Sequence, residues 1–122
     1  RGGIPSPGAG WMSFRGSPVE DVKAFLVRVH GRVQGVYFRA YTADQGQRLS
    51  LIGWVQNLPD GTVQTFFQGT ETGARAMLDW LRIGSPASQV QRLDIQARQA
   101  EPSLQGFVLL RTGENAVLPK IC

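Results

Sequence analysis

Arg39 ends a stretch whose residue types suit it to hold an anion: Val29-His30-Gly31-Arg32-Val33-Gln34-Gly35-Val36-Tyr37-Phe38-Arg39. The stretch passes from an apolar strand through a loop with two glycines into a helix. Glycines at 31 and 35 permit turns that a side chain would block, and they leave amide N–H groups free to converge on one oxyanion. A helix that starts near Phe38 or Arg39 adds its unpaired first-turn amides and the positive end of its dipole, and the arginine adds a fork of permanently charged donors. A cation at the head of a helix is mildly unfavourable by itself, so an arginine there points to a ligand rather than to helix stability. The residues read as a phosphate site, although neither GxGxxG nor GxxxxGK[ST] is present.

Fourteen residues after Arg39 begins Gly53-Trp54-Val55-Gln56-Asn57-Leu58-Pro59-Asp60-Gly61-Thr62-Val63, a strand, a Pro-Asp-Gly turn and a second strand. Asn57 ends the first of these strands. Taken by itself it is open to two readings, an asparagine that starts a turn or a carboxamide that serves a site.

Together these two stretches resemble the acylphosphatase family, over roughly Val22 to Arg111, with both signature segments complete. The resemblance implies a ferredoxin-like two-layer α+β sandwich that hydrolyses acyl phosphates to a carboxylate and inorganic phosphate without metal or other cofactor. By position, the family's phosphate-binding catalytic arginine falls on Arg39 and its water-orienting asparagine on Asn57. The backbone of Gln34, Gly35, Val36, Tyr37 and Phe38 takes the place of the phosphate cradle. Tyr37 occupies a position where relatives carry glycine or another aromatic residue, which bears on the width of the pocket mouth.

The chemistry asks little of such a site, because an acyl phosphate already carries a weakly basic carboxylate as its leaving group. Arg39 and the loop amides would stabilise charge on the phosphoryl oxygens. The Asn57 carbonyl can accept a hydrogen bond from an attacking water and fix it in line. No well-placed nucleophile accompanies them, so water is expected to attack phosphorus directly.

Other residues with chemical potential are better read as structure. His30 is the sole histidine and adjoins the loop, but it alternates away from Val29 and has no HExxH-like partner, so it is expected on a sheet face. Thr42 lies one turn beyond Arg39 and can either bond toward the site or back to the preceding helical turn. Trp54, Trp80, Phe66, Phe67 and Phe107 could form a base-stacking sheet, but packing accounts for them, with Trp54 and Trp80 sharing the interface of helices and sheet. Two rival functions accompany the main one. One is a phosphate- or carbamoyl-phosphate-binding module like those within hydrogenase-maturation carbamoyltransferases, opposed by the shortness of the chain. The other is a nucleic-acid-binding ferredoxin-like domain.

The elements that must position these residues follow from pattern. At 122 residues and 42% hydrophobic content the chain suits one domain, expected at residues 21–111, between an extension at 1–20 and a tail at 112–122 that packs loosely or stays mobile. The Gly/Pro-rich extension contains Met12, which could be a start. The single cysteine, Cys122, excludes an internal disulfide. Thirteen Lys and Arg against nine Asp and Glu give net charge +4. That balance suits a small anionic substrate, and the absence of a basic run argues for scattered arginines rather than a nucleic-acid footprint. No membrane span or secretory signal is evident, and a cytoplasmic monomer is expected.

Alternating Phe25, Val27 and Val29 predict a strand with one buried and one half-wet face. A helix follows over Phe38 to Leu49, with Phe38, Tyr41 and Leu49 inward and Gly46 a weak point. Leu51 to Asn57 and Thr62 to Gln68 form a hairpin. Ala74, Met77, Leu78 and Leu81 make the inner stripe of a helix over Glu71 to Ile83, with Thr70 as cap and Gly84 as stop. Val90 to Ala97 forms a strand with Leu93, Ile95 and Ala97 inward, and Phe107 to Arg111 closes the sheet. The expected plan is βαββαβ, an antiparallel sheet with both helices on one face.

Overall fold

The computed structural model of the protein describes residues 22–121. The expected extension, Met12 and Cys122 lie outside the described residues. Within them the chain forms β1 (Val22–Arg32), α1 (Phe38–Arg48), β2 (Ile52–Asn57), β3 (Val63–Thr70), α2 (Glu71–Ile83), β4 (Gln89–Arg98) and β5 (Phe107–Leu110). The sheet order is β4-β1-β3-β2-β5. The first four strands pair antiparallel, and the ferredoxin-like two-layer plan is the one observed. β5 adds parallel to β2, with Gly53 opposite Phe107. β4 and β5 lie at opposite edges of the sheet, and residues 99–106 join them by crossing the sheet face that lacks helices. Gln68 of β3 anchors that crossing: its Nε2 donates to the Glu101 carbonyl at 3.0 Å and its Oε1 accepts from Glu101 N at 2.6 Å.

On the helix face Val27, Val29, Val55, Val63, Phe67 and Phe107 pack against Phe38 and Ala43 of α1 and Ala74, Met77, Leu78 and Leu81 of α2. The four α2 residues are those its apolar stripe predicts, and the Thr70 hydroxyl caps the helix by accepting from Gly73 N at 3.1 Å. In α1 the inward residues are Phe38, Thr42, Ala43 and Gly46, while Tyr41, expected inside, is exposed. Gly46 explains the difference. A Cβ there would lie 2.4 Å from the Phe107 ring, so the helix packs through its glycine onto β5 and turns Tyr41 outward.

The opposite face holds a second core instead of being half-wet. Ala24, Leu26, Trp54, Phe66 and Leu110 are buried there, with Leu104 and Ala116 against them. The two tryptophans therefore lie on different faces, Trp54 beside Phe66 and Trp80 beside Phe38, with ring centroids 6.4 and 5.8 Å apart. Residues after β5 cover this second core. The Trp54 indole donates to the Val117 carbonyl at 3.0 Å, and Gln56 Nε2 donates to the carbonyls of Arg111 at 2.8 Å and Glu114 at 2.6 Å. Two further expectations change at the other edge. Ile95 and Ala97 of β4 are exposed rather than inward, since the edge strand runs past the cover of α2. Gly31 lies inside β1 at a register shift against β4, where a Cβ would meet the Gln89 carbonyl at 2.1 Å, so it serves strand pairing and not the loop.

Candidate active site

The loop between β1 and α1 turns on two consecutive devices. Gly35 takes φ +74°, and Tyr37, the residue before the first helical turn, takes φ +60°. Left-handed backbone comes freely to glycine but costs a bulky side chain on the order of 1–2 kcal/mol. The amides of Gly35, Val36 and Tyr37 donate to no acceptor among the described residues. The amides of the first turn of α1 are likewise unpaired by helix geometry, and no side chain caps them. This is a cluster of donors without acceptors at the positive end of a helix.

Beside these amides lies a cavity of about 430 Å³, lined by Val33, Gly35, Tyr37, Phe38, Arg39, Ala40, Asn57 and Leu109. The tertiary structure thus brings together Arg39 and Asn57 with three of the five predicted cradle residues, Gly35, Tyr37 and Phe38. Gln34 and Val36 do not line it. The Gln34 side chain donates through Nε2 to the carbonyls of Leu58 and Thr62, both at 2.8 Å, and so ties the loop to the hairpin that carries Asn57. Val36 packs on the helix-side core, and its carbonyl accepts from Ser85 Oγ at 3.3 Å.

Arg39 is held from behind. Its Nη1 donates to the Leu110 carbonyl at 2.8 Å, which leaves the rest of the guanidinium for a ligand. Among the described residues no carboxylate forms an ion pair with it. Asn57 ends β2 on the helix face, and among the described residues its Oδ1 is buried with no hydrogen-bond partner. An orphaned acceptor costs about 1–3 kcal/mol, a cost that a turn of the carboxamide toward the cavity it lines would relieve. The turn beside it is firm: Asp60 Oδ1 accepts from Thr62 Oγ1 at 2.6 Å and from Thr62 N at 3.0 Å, contacts that hold the Asp60 carboxyl below its ordinary range.

The remaining candidates serve structure. The Thr42 hydroxyl donates back to the Phe38 carbonyl at 2.7 Å and is fully buried. His30 lies on the face away from the cavity with its Nε2 2.8 Å from Asp94 Oδ2, which lowers the Asp94 pKa. Val33 and Ala40 flank the motif and could have been inferred from it. The Leu110 carbonyl and Leu109 could not, since they stand some seventy residues from Arg39 with no local signal.

Unpaired loop amides, an arginine and an asparagine around one cavity of a two-layer α+β sandwich are the parts that a small phosphohydrolase working on a phosphoryl group would need. The acylphosphatase family model matches residues 25–109, and the chain belongs to that family. An acylphosphatase of Gloeobacter violaceus is 43% identical over 93 residues, covering 73% of this chain and 99% of the relative. The solved structure of an acylphosphatase from Coxiella burnetii superposes with TM-score 0.70 at 29% identity, covering 73% of this chain and 93% of that one. Full-length HypF, in its phosphate- and nucleotide-bound form, shares the fold with TM-score 0.71 at 21% identity, and the match takes up 14% of its length. The chain is an enzyme that hydrolyses acyl phosphates, and its substrate is a small molecule. Among the described residues no helix is long and apolar enough to cross a membrane.

Proposed function

We propose that hydrolysis proceeds by direct attack of one water on phosphorus, with the phosphoryl oxygens held by Arg39 and the backbone amides of residues 34–38, and with the water held by Asn57. The Asn57 carboxamide at the cavity carries this reading: among the described residues its Oδ1 is buried and unpaired, and a turn of the side chain toward the cavity would let it accept a water hydrogen and aim the water's lone pair. Arg39 stabilises the charge that spreads over the phosphoryl oxygens as the carboxylate departs. Among the lining residues the only hydroxyl is that of Tyr37, and there is no serine, cysteine, histidine or carboxylate, which favours water over a covalent phosphoenzyme. The protein is taken to act as a cytoplasmic monomer without metal and without nucleic acid. Burial of Trp54, Phe66, Phe67 and Phe107 supports the last point, since a base needs an exposed ring on which to stack.

Asn57→Ala tests the assignment. It should lower kcat by roughly a hundredfold while inhibition by inorganic phosphate changes by no more than about threefold, because the lost interaction matures on the way to the transition state. Equal loss of phosphate affinity would move Asn57 into the cradle. Unchanged kcat in a folded variant would leave it a turn residue. Hydrolysis in heavy-oxygen water should place the label in phosphate and none in the carboxylate.

A further inference from the structure

Two segments far apart in sequence share the work at this cavity. The phosphoryl group falls to Arg39 and the amides of the loop between β1 and α1, whereas the water falls to Asn57 at the end of β2. In-line attack needs the water oxygen about 3–3.5 Å from phosphorus and opposite the departing carboxylate, and a misplacement of ~1 Å costs on the order of a hundredfold in rate. The separation of the two segments must therefore be held tightly, although Asn57 stands where its strand gives way to a turn.

Gln34 spans that separation. Its backbone belongs to the loop, between the buried Val33 and the left-handed Gly35. Its side chain reaches the neck of the hairpin turn, where Nε2 donates to the carbonyls of Leu58 and Thr62 at 2.8 Å each. Those residues also close the turn on itself, since Leu58 N donates to the Thr62 carbonyl at 2.9 Å and Gly61 N donates to the Leu58 carbonyl at 3.1 Å. Two carbonyls facing one carboxamide require its NH2 group, so both N–H donors are used and chemistry fixes which way the group points. Among the described residues no other hydrogen bond joins residues 33–37 to residues 57–62. Arg28 of β1 adds an ion pair to Asp60 at 3.6 Å, but both side chains are exposed, and such a pair holds little.

Resting on the direct-water reading above, we infer that Gln34 is a positioning residue of this enzyme: its carboxamide sets the hairpin neck, and with it Asn57, at the distance from the phosphate loop that in-line attack needs. Leu58 follows Asn57 directly, so a shift of the Leu58 carbonyl carries the asparagine with it. The tie is made to backbone on the hairpin side, which leaves the Asn57 side chain free to turn toward the cavity. Phosphate binding uses the backbone of residue 34 and not its carboxamide, so the two roles of this residue are separable.

The test is a double-mutant cycle on the full chain, with acetyl phosphate as substrate and inorganic phosphate as inhibitor. It combines Asn57→Ala with Gln34→Met, which keeps the length of the side chain and removes both donors. Gln34→Met should lower kcat roughly tenfold while phosphate inhibition changes by no more than about threefold, because the water is displaced and the phosphoryl group is not. In the Asn57→Ala background the same substitution should cost less than about twofold, since nothing is left for Gln34 to position. Rates are compared well below each thermal midpoint, and Gln34→Asn, whose carboxamide falls one methylene short of the turn, carries the same expectations if Gln34→Met does not fold. An equal loss in both backgrounds, a loss of phosphate affinity matching that of kcat, or an unchanged kcat overturns the positioning role and leaves the catalytic reading standing. Full kcat in Asn57→Ala alone would instead remove both.

Discussion

Replacing Arg39 with lysine keeps the charge and removes the planar fork, and the structure sets what that costs. The Leu110 carbonyl takes an Nη1 donor at 2.8 Å, so one branch of the guanidinium fixes its plane and the remaining donors face the cavity. A lysine ammonium cannot hold that carbonyl and meet two phosphoryl oxygens in one plane. Hydrogen bonds to a charged partner contribute about 1.5–3 kcal/mol each. Losing one such bond together with the orientation given by the anchor should cost ~3–4 kcal/mol of transition-state stabilisation, which is two to three orders of magnitude in kcat/KM. The anchor is itself such a bond, so its loss costs ~1.5–3 kcal/mol of stability, on the order of 10 °C in Tm, and rates are compared well below the variant's midpoint. Initial rates of acyl phosphate hydrolysis, with phosphate inhibition and thermal midpoints measured on the same preparations, decide the matter. Phosphate should bind about tenfold more weakly to the variant, since the fork contacts the ground state as well. A variant that keeps more than about a tenth of wild-type kcat/KM has lost under ~1.4 kcal/mol, and Arg39 would then not be the clamp.

Activity should be unchanged by a strong chelator, because no carboxylate or imidazole lines the cavity; loss restored by a divalent ion would refute the direct-water mechanism. Gly46→Ala should lower Tm by several degrees, since the new methyl meets the Phe107 ring and overpacking costs ~1–3 kcal/mol against about 1 kcal/mol of better helix propensity; a higher midpoint would show that α1 and β5 have room to spare. Stability should fall as pH drops below the ordinary carboxylate range. The carboxyls of Asp60, Asp94 and Glu101 are all lowered in the folded chain, by Thr62, His30 and Ser103 first of all, so the unfolded chain binds protons sooner. What these contacts contribute is complete above that range and fades through it, and Asp94→Asn should flatten the slope; a Tm that rises on acidification would contradict it.

Much of this protein is written in short segments. The turn Leu58-Pro59-Asp60-Gly61, the stripe Ala74, Met77, Leu78 and Leu81, the Thr70 cap and the loop into Arg39 were all legible in the sequence. Each depends on φ preferences or a repeat spanning a few residues, and these act before any distant contact forms. The alternation of Phe25, Val27 and Val29 predicts one buried face and one half-wet face; the second is buried as well, and what covers it is not local information. The residues after β5 do so, and they reach it only because the crossing at 99–106 places β5 beside β2. The inward side of α1 was likewise decided by Phe107, sixty-one residues from Gly46 in sequence, through an approach too close for a side chain. The candidate site divides in the same way. Residue types at 35, 39 and 57 announce anion chemistry, whereas the anchor of Arg39 on the Leu110 carbonyl, the tie from Gln34 to the hairpin and the isolation of Asn57 Oδ1 arise from long-range pairing. Side-chain donors and acceptors find partners by distance in space, and only the closed sheet fixes those distances.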